Sequence, residues 1–302
     1  MNELFDKLTL RFVFTLFICF MLFLYRYIHY LFYPSLRSQM FRKFTPSKNS
    51  AETLHFFSRL IGIGIVFSEY HFSLDQGFIF AVMDFFLQAI SGFILYILSL
   101  YTIDSIVLYN FEYHDEVVKR KNISYSLIGL AHALGMAMIL KVILSTSGTS
   151  IVMLIFLWLF SLVLIGFATK TFSLMSKLSF NRLLVQKNIA VGISYFGFFL
   201  GWSLIIASSL NSPLNEIKWF SIQAILKILL SLIILPIFTS GIKMIFFLHD
   251  DLDKLVKSEG QQDNTSIEVG YGIYEGATFF TSCFLTIVIT GRIHFGEFYP
   301  TF

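Results

Sequence analysis

Charge is scarce in this 302-residue chain: only 14% of its residues are Asp, Glu, Lys or Arg, against about 25% in an ordinary soluble domain. A soluble chain so poor in charge would lack the polar surface to cover its own core. Cysteine is nearly absent too. Cys19 and Cys283 both fall inside apolar runs, which argues against a disulfide, and no Cys/His spacing resembles a zinc site. No Lys/Arg stripe with interleaved aromatics points to nucleic acid. Gly62-Ile63-Gly64 lies within an apolar run, without the strand–turn–helix setting of a nucleotide fingerprint. Ser, His and Asp never gather with nucleophile-elbow spacing. The run His249-Asp250-Asp251 reads as a solvated helix end rather than a metal site. These absences leave no expected cofactor, metal, nucleic-acid partner or catalytic residue.

What is abundant is apolar. Hydrophobic residues make up 56% of the chain and aromatics 18%, with 37 Phe, and the mean hydropathy is +0.74. A membrane-spanning helix needs about 20 largely apolar residues. Eight stretches qualify, near 12–32, 52–70, 78–108, 124–145, 151–173, 186–209, 218–246 and 267–290. The second is the least regular, because Arg59 and Glu69 sit near its ends, which leaves a six- or seven-helix reading open. Arg26 and Arg37 follow the first run without a small-residue cleavage site, so it reads as a retained helix. The expected fold is an all-α, polytopic transmembrane bundle of about eight helices in four parallel hairpins, with the lipid bilayer as its main partner.

The basic residues alternate with these spans. Connections from odd to even helices carry Arg37, Arg42, Lys43 and Lys48, then Lys119, Arg120 and Lys121, then Lys170, Lys177, Arg182 and Lys187, then Lys243, Lys254 and Lys257. The opposite side has only Lys7, Arg11, Lys218 and Arg292. The positive-inside rule makes the richer side cytoplasmic and puts both termini outside.

An internal repeat underlies the alternation. Lys121-Asn122-Ile123 recurs as Lys187-Asn188-Ile189, and Ala131 and Gly135 lie at the same offset as Gly197 and Gly201. Gly272 and Gly276 form a comparable pair in the last helix, and Gly64 and Ser68 in the second. Small residues four apart let helix backbones approach closely inside a membrane. The units are two-helix hairpins, approximately 1–72, 73–148, 149–212 and 213–302, all in one orientation, hence parallel repeats.

Residues 113–138 and 184–208 carry a likeness to a known family. An acidic pair, Asp115-Glu116, precedes a short amphipathic stretch and an Asn, Asn122, that opens a helix rich in Gly and Ala; Asn188-Ile189-Ala190 matches more closely. This resembles the YjfL-like bacterial inner-membrane family, a domain of unknown function (type 350). Lys119-Arg120-Lys121 departs from the mixed charge and Gly expected before the Asn, and the last unit has its Asn displaced to Asn264 or lost. The resemblance implies a bacterial plasma-membrane location and no established activity.

Ionisable groups inside spans are costly and are functional candidates by default. Five residues form the candidate intramembrane polar site: His132, Glu275, Lys227, Asp84 and Gln88. His132 is either a proton relay or a neutral imidazole bonded to a neighbouring helix. Glu275 is an ion or proton site, or a carboxylate held by a structural cation or Tyr hydroxyl. Lys227, on the adjacent helix, is its natural counter-charge, or else snorkels outward. Asp84 and Gln88 share a helix face and line a vestibule or sit at the interface. Glu69 and Asp104 read as interfacial residues near helix ends, and Lys141 as a snorkelling anchor. The leading function is a small-solute or ion transporter or channel. The alternative is a non-catalytic membrane organiser or stress-linked partner protein, using its basic loops on anionic lipid or acidic partners. A second copy of the chain, or another membrane protein, is the expected protein partner. A membrane-embedded enzyme would need polar residues grouped at one depth, whereas these look dispersed.

Overall fold

The computed structural model describes residues 2–33, 35, 45–70, 77–148, 150–212, 217–248, 268–291, 293 and 295. His249-Asp250-Asp251 and Asn264 lie outside them, as do most residues of the first and last basic connections. Among the described residues every regular element is helical. The α-helices among the described residues are α1 Asn2–Phe32, α2 Ser50–Phe67, α3 Phe78–Val107, α4 Ile123–Ser147, α5 Ile151–Met175, α6 Phe180–Val185, α7 Ile189–Leu210, α8 Ile217–Ile245 and α9 Val269–Thr290.

Seven of these are long and apolar enough to cross a membrane: α1, α3, α4, α5, α7, α8 and α9. The protein is a multi-pass membrane protein. Helix α2 has 18 residues, roughly 27 Å at 1.5 Å per residue, and Glu52 and Arg59 lower its hydropathy. It nonetheless packs along α4 and buries Arg59 there.

The helices form an inner row, α2–α4–α7–α9, in which each packs mainly on the next. Helices α1, α3, α5 and α8 lie outside it. Their outward faces carry large exposed apolar residues, such as Phe12 and Phe20 on α1, Leu87 on α3, Phe167 on α5 and Ile233 on α8, as lipid contact requires.

Asparagine sets the register of the inner row. Asn49, Asn122 and Asn188 cap α2, α4 and α7, accepting from the amides of Glu52, Tyr125 and Ala190. Two of these caps also reach to the next unit: Asn49 Nδ2 donates to Val117 O and Asn122 Nδ2 to Leu184 O, each at 2.9 Å. Lys121 and Lys187, just before their caps, take φ of 52° and 59°, a left-handed kink that ends one segment before the next helix begins. This kink breaks the expected span 186–209: α6 ends at Val185, and α7 starts at Ile189.

Packing in lipid draws on close contact rather than on the hydrophobic effect. Along α7 and α9, a Cβ on Gly197 would collide with the backbone of Gly276, and one on Gly272 with that of Ala190. Gly135 lies equally tight against Ser203 and Phe199, and Gly201 against Cys283 and Phe279. Ala131 is fully buried. The pair expected in α2 is displaced. A Cβ on Gly64 would meet nothing within 4 Å, whereas one on Gly62 would strike Tyr96 and the Ala133 carbonyl. Gly62, Gly135 and Gly201 each stand thirteen residues after a capping Asn. Ser58, Ala131 and Gly197 each stand nine after it. The small pair of α2 is therefore Ser58 with Gly62, because the cap fixes the repeat.

Candidate functional site

The five residues of the expected site fall in four places. His132, on α4, is fully buried. Its Nδ1 lies 2.7 Å from Asp104 Oδ1 and its Nε2 3.0 Å from the Tyr195 hydroxyl. Glu275 has a different set of partners. It accepts from Ser176 Oγ at 2.7 Å, Lys177 N at 3.0 Å, Tyr271 Oη at 3.4 Å and Ser194 Oγ, tying the segment after α5 to α7 and α9. Lys227 is buried but does not meet Glu275. Its ammonium donates to Ser212 Oγ at 2.9 Å and to Gly291 O at 3.4 Å, at the opposite end of α9. Gln88 Nε2 donates to Asp84 Oδ2 at 2.9 Å, and Asp84 is exposed on the outer face of α3. Lys141 donates to Ser68 Oγ at 3.0 Å and lies 3.9 Å from Glu69.

The centre of the polar interior is Asp104, near the end of α3. Arg59 Nη2, on α2, donates to its Oδ2 at 2.6 Å. The side chains are only 4% and 13% exposed, so this ion pair is almost wholly withdrawn from solvent. Tyr33 Oη donates to the same oxygen at 3.2 Å and accepts from Arg59 Nη2 at 2.9 Å. His132 occupies the other carboxylate oxygen. A carboxylate only accepts, so His132 donates through Nδ1, and its Nε2 shares a hydrogen bond with the Tyr195 hydroxyl. The result is a continuous line, Tyr195–His132–Asp104–Arg59–His55, across α7, α4, α3 and α2. Arg59 Nη2 lies 3.0 Å from His55 Nε2. Gly129 gives His55 its room, since a Cβ there would lie 2.6 Å from the imidazole Cδ2.

Beside this line is a cavity of about 580 Å³, within the range of small-molecule sites. It opens where α1 and α3 end and the connection to α4 begins. Arg59, Asp104 and Tyr113 line it, with Tyr25, Tyr33 and Tyr101 among its walls. Tyr113 belongs to that connection, and burial pushes its phenol well above the usual range, so it stays a hydroxyl. Arg59 Nε, His55 Nδ1 and Tyr113 Oη are buried without a protein partner. Each such atom costs about 1–3 kcal/mol when left unsatisfied, and native proteins tolerate few of them.

The basic run beyond the cavity is engaged within the protein. Lys119 pairs with Asp115 at 2.7 Å. The Lys119 hydrogen bond holds the Asp115 carboxyl below its ordinary range, and the same bond raises the Lys119 ammonium. Arg120 bonds Glu116 and the Val185 carbonyl, and Lys121 donates to Lys48 O at 3.0 Å. The last two fasten this connection to the segments before α7 and α2.

Sequence reasoning missed Asp104 and Arg59 as a site. A signal was present: Arg59 and His132 each stand ten residues after a capping Asn, the same helical position in successive units, where the third unit has Phe198.

Repeated hairpins, an inner row of close-packed helices and a buried ion-pair line define a polytopic α-helical membrane protein with a polar interior. The chain matches the family model described as Domain of Unknown Function (DUF350) twice, over residues 3–144 and 146–288, and it belongs to that family. The two matches meet in the last turn of α4, so each covers about two hairpins. No curated protein and no solved structure matches the chain.

Proposed function

We propose that the protein moves a small solute or ion across a bacterial plasma membrane, with the cavity and the Arg59–Asp104–His132 line as its working site. The observation that carries this reading is the buried ion pair at the cavity wall. Burying two charges in a membrane-type bundle gains little stability over well-packed apolar residues, and buried ionisable groups in such bundles mark solute and proton pathways. The line joins groups able to hand on a proton, with the imidazole of His132 set between a carboxylate and a hydroxyl. The charge bias of the connections supports a cavity mouth on the cytoplasmic side with both termini outside.

Flux through purified protein in liposomes tests this. Passage of protons or small solutes above that of empty liposomes is expected, with loss in His132→Ala and retention in Glu275→Gln, since Glu275 sits in a separate cluster. Flux equal to that of empty liposomes overturns the reading. An organiser that docks anionic lipid or an acidic partner draws less support, because Arg120 and Lys121 are occupied by the chain's own carbonyls. A hydrolase draws less again. Asp104, His132 and Tyr195 have an acid–base–hydroxyl order, yet the buried Tyr195 hydroxyl faces His132 away from the cavity lining.

A further inference from the structure

Two buried polar atoms of residues that line the cavity lack a partner, Arg59 Nε and Tyr113 Oη. The first can only donate, and the second carries a hydroxyl hydrogen with no acceptor. Tyr33 joins the two residues: its ring stacks on Tyr113 at 4.2 Å, and its hydroxyl accepts from Arg59 Nη2 at 2.9 Å. The buried acceptors of the wall are engaged. Both Asp104 oxygens receive donors, and Tyr25 Oη lies 3.4 Å from His29 Nδ1. Arg59 and Asp104 cancel each other's charge, and Glu112, the remaining acid of the lining, is exposed at the mouth.

These features select a neutral ligand that accepts hydrogen bonds and does not donate them. An anion finds no unpaired cation there, and a cation finds no unpaired buried acid. An amide or an alcohol brings N–H or O–H groups to a wall whose buried acceptors are engaged. A ring ketone only accepts, with two lone pairs on each carbonyl oxygen. Water also accepts, but it leaves uncovered the aromatic faces of Phe32, Tyr33 and Tyr101, against which a flat ring packs. The approach is from lipid. Tyr101 lines the cavity, is 54% exposed, and continues the exposed apolar stripe of Leu87, Ile90, Ile94 and Leu98 along α3, at the spacing of one helix face.

We propose that the cavity binds a membrane-soluble quinone, its carbonyl oxygens received by Arg59 Nε and Tyr113 Oη, its ring by the aromatic walls and its tail by the lipid beside Tyr101. This goes beyond the transport reading, which names no ligand for the cavity, and binding of the ring does not depend on flux.

The test is equilibrium dialysis of the full-length protein in detergent, against empty micelles, with duroquinone (tetramethyl-1,4-benzoquinone) and with durene, which has the same ring and methyl groups without the oxygens. Saturable duroquinone binding is expected, with durene at least about tenfold weaker for want of the two hydrogen bonds. Tyr113→Phe weakens duroquinone about threefold to tenfold, as expected for one hydrogen bond, and leaves durene unchanged. The same variant leaves the melting temperature of the unliganded protein unchanged or higher, because the lost hydroxyl had no partner; a merely structural hydroxyl would lower it. A decyl-tailed benzoquinone displaces duroquinone at an equal or lower concentration within the micelle, since its tail leaves past Tyr101. Failure of the tailed compound to displace would point to a water-soluble ring ketone and overturns the membrane source. Absence of saturable duroquinone binding, as for a cavity that holds only water, overturns the proposal. So does durene bound as tightly as duroquinone, a Tyr113→Phe variant that binds duroquinone as the wild type does, or tighter binding of benzoate or benzylammonium. Duroquinone binding without liposome flux keeps this site and overturns the transport reading. Flux without duroquinone binding does the reverse.

Discussion

Replacing Asp104 by Asn removes the carboxylate paired with Arg59 and leaves the guanidinium buried. At 2.6 Å the gross attraction of the pair is about 6 kcal/mol for an effective dielectric of about 20. Desolvation of the two ions offsets much of this, so the pair's net worth is small, while breaking it strands a charge and costs about 3–5 kcal/mol. Against a typical unfolding free energy of about 5–15 kcal/mol, such a loss is large. Removing both charges together, as Arg59→Met with Asp104→Leu, strands no ion and returns stability to the wild-type level or up to about 4 kcal/mol above it. Denaturation of the purified protein in detergent, run as a double-mutant cycle, measures both arms. Flux separates stability from function: the doubly apolar variant folds yet carries no solute. An Asp104→Asn variant as stable as the wild type, or a double variant as unstable as the single, refutes the claim that the two groups are paired and buried.

Three further perturbations address the scaffold. Asn122→Ala removes the α4 cap and the bonds to Leu184 O and Glu116; a loss of about 2–4 kcal/mol, a cap plus the groups left unsatisfied, is expected in the same unfolding assay. Gly197→Ala drives a methyl into the α9 backbone and costs about 1–3 kcal/mol, whereas Gly64→Ala meets open space and gains up to about 1 kcal/mol from helix propensity; equal effects at the two sites would refute the packing register. Asp115 titrates below the ordinary carboxylate value because of its Lys119 partner. That pairing is therefore complete above the ordinary value and is lost as the pH falls below it, and Lys119→Met raises the Asp115 titration midpoint read by NMR.

The helices were legible because lipid imposes one rule on each of them: a long apolar run closes its own backbone bonds. The expected span 78–108 and α3, or 218–246 and α8, differ by a residue at most at either end. Caps were legible at Asn122 and Asn188, where a polar residue precedes an apolar run. The polar interior was not, since hydropathy measures distance along one helix and not depth in the bundle. Asp104 looked interfacial because it lies three residues from the end of α3. That helix has 30 residues, about 45 Å, and outruns its shorter neighbour α2, which carries Arg59 to the same level. Glu275 and Lys227 looked like partners because they lie on consecutive helices. Antiparallel packing puts Lys227 beside Gly291 and Glu275 beside Ser176, at the two ends of α9.

The asparagine caps also show how the repeats have diverged. Counted from the cap, position ten is Arg59 in α2, His132 in α4 and Phe198 in α7; position six is His55 in α2 and Ser194 in α7. The same scaffold thus presents ionisable groups in one half and an apolar ring in the next. Phe198 packs edge-on to Phe172 and tilted against Phe279, and Ser194 gives its hydroxyl to Glu275. A charged pair needs both partners buried together, and the unit with Phe198 at this position fills the space with packing instead. The second match of the family model then acts as the wall against which the first holds its ion-pair line, and His132 leans on that wall through Tyr195. At the ion-pair line the halves meet through this hydrogen bond and the α4–α7 contact, so Tyr195→Phe perturbs the site without removing any charge from it.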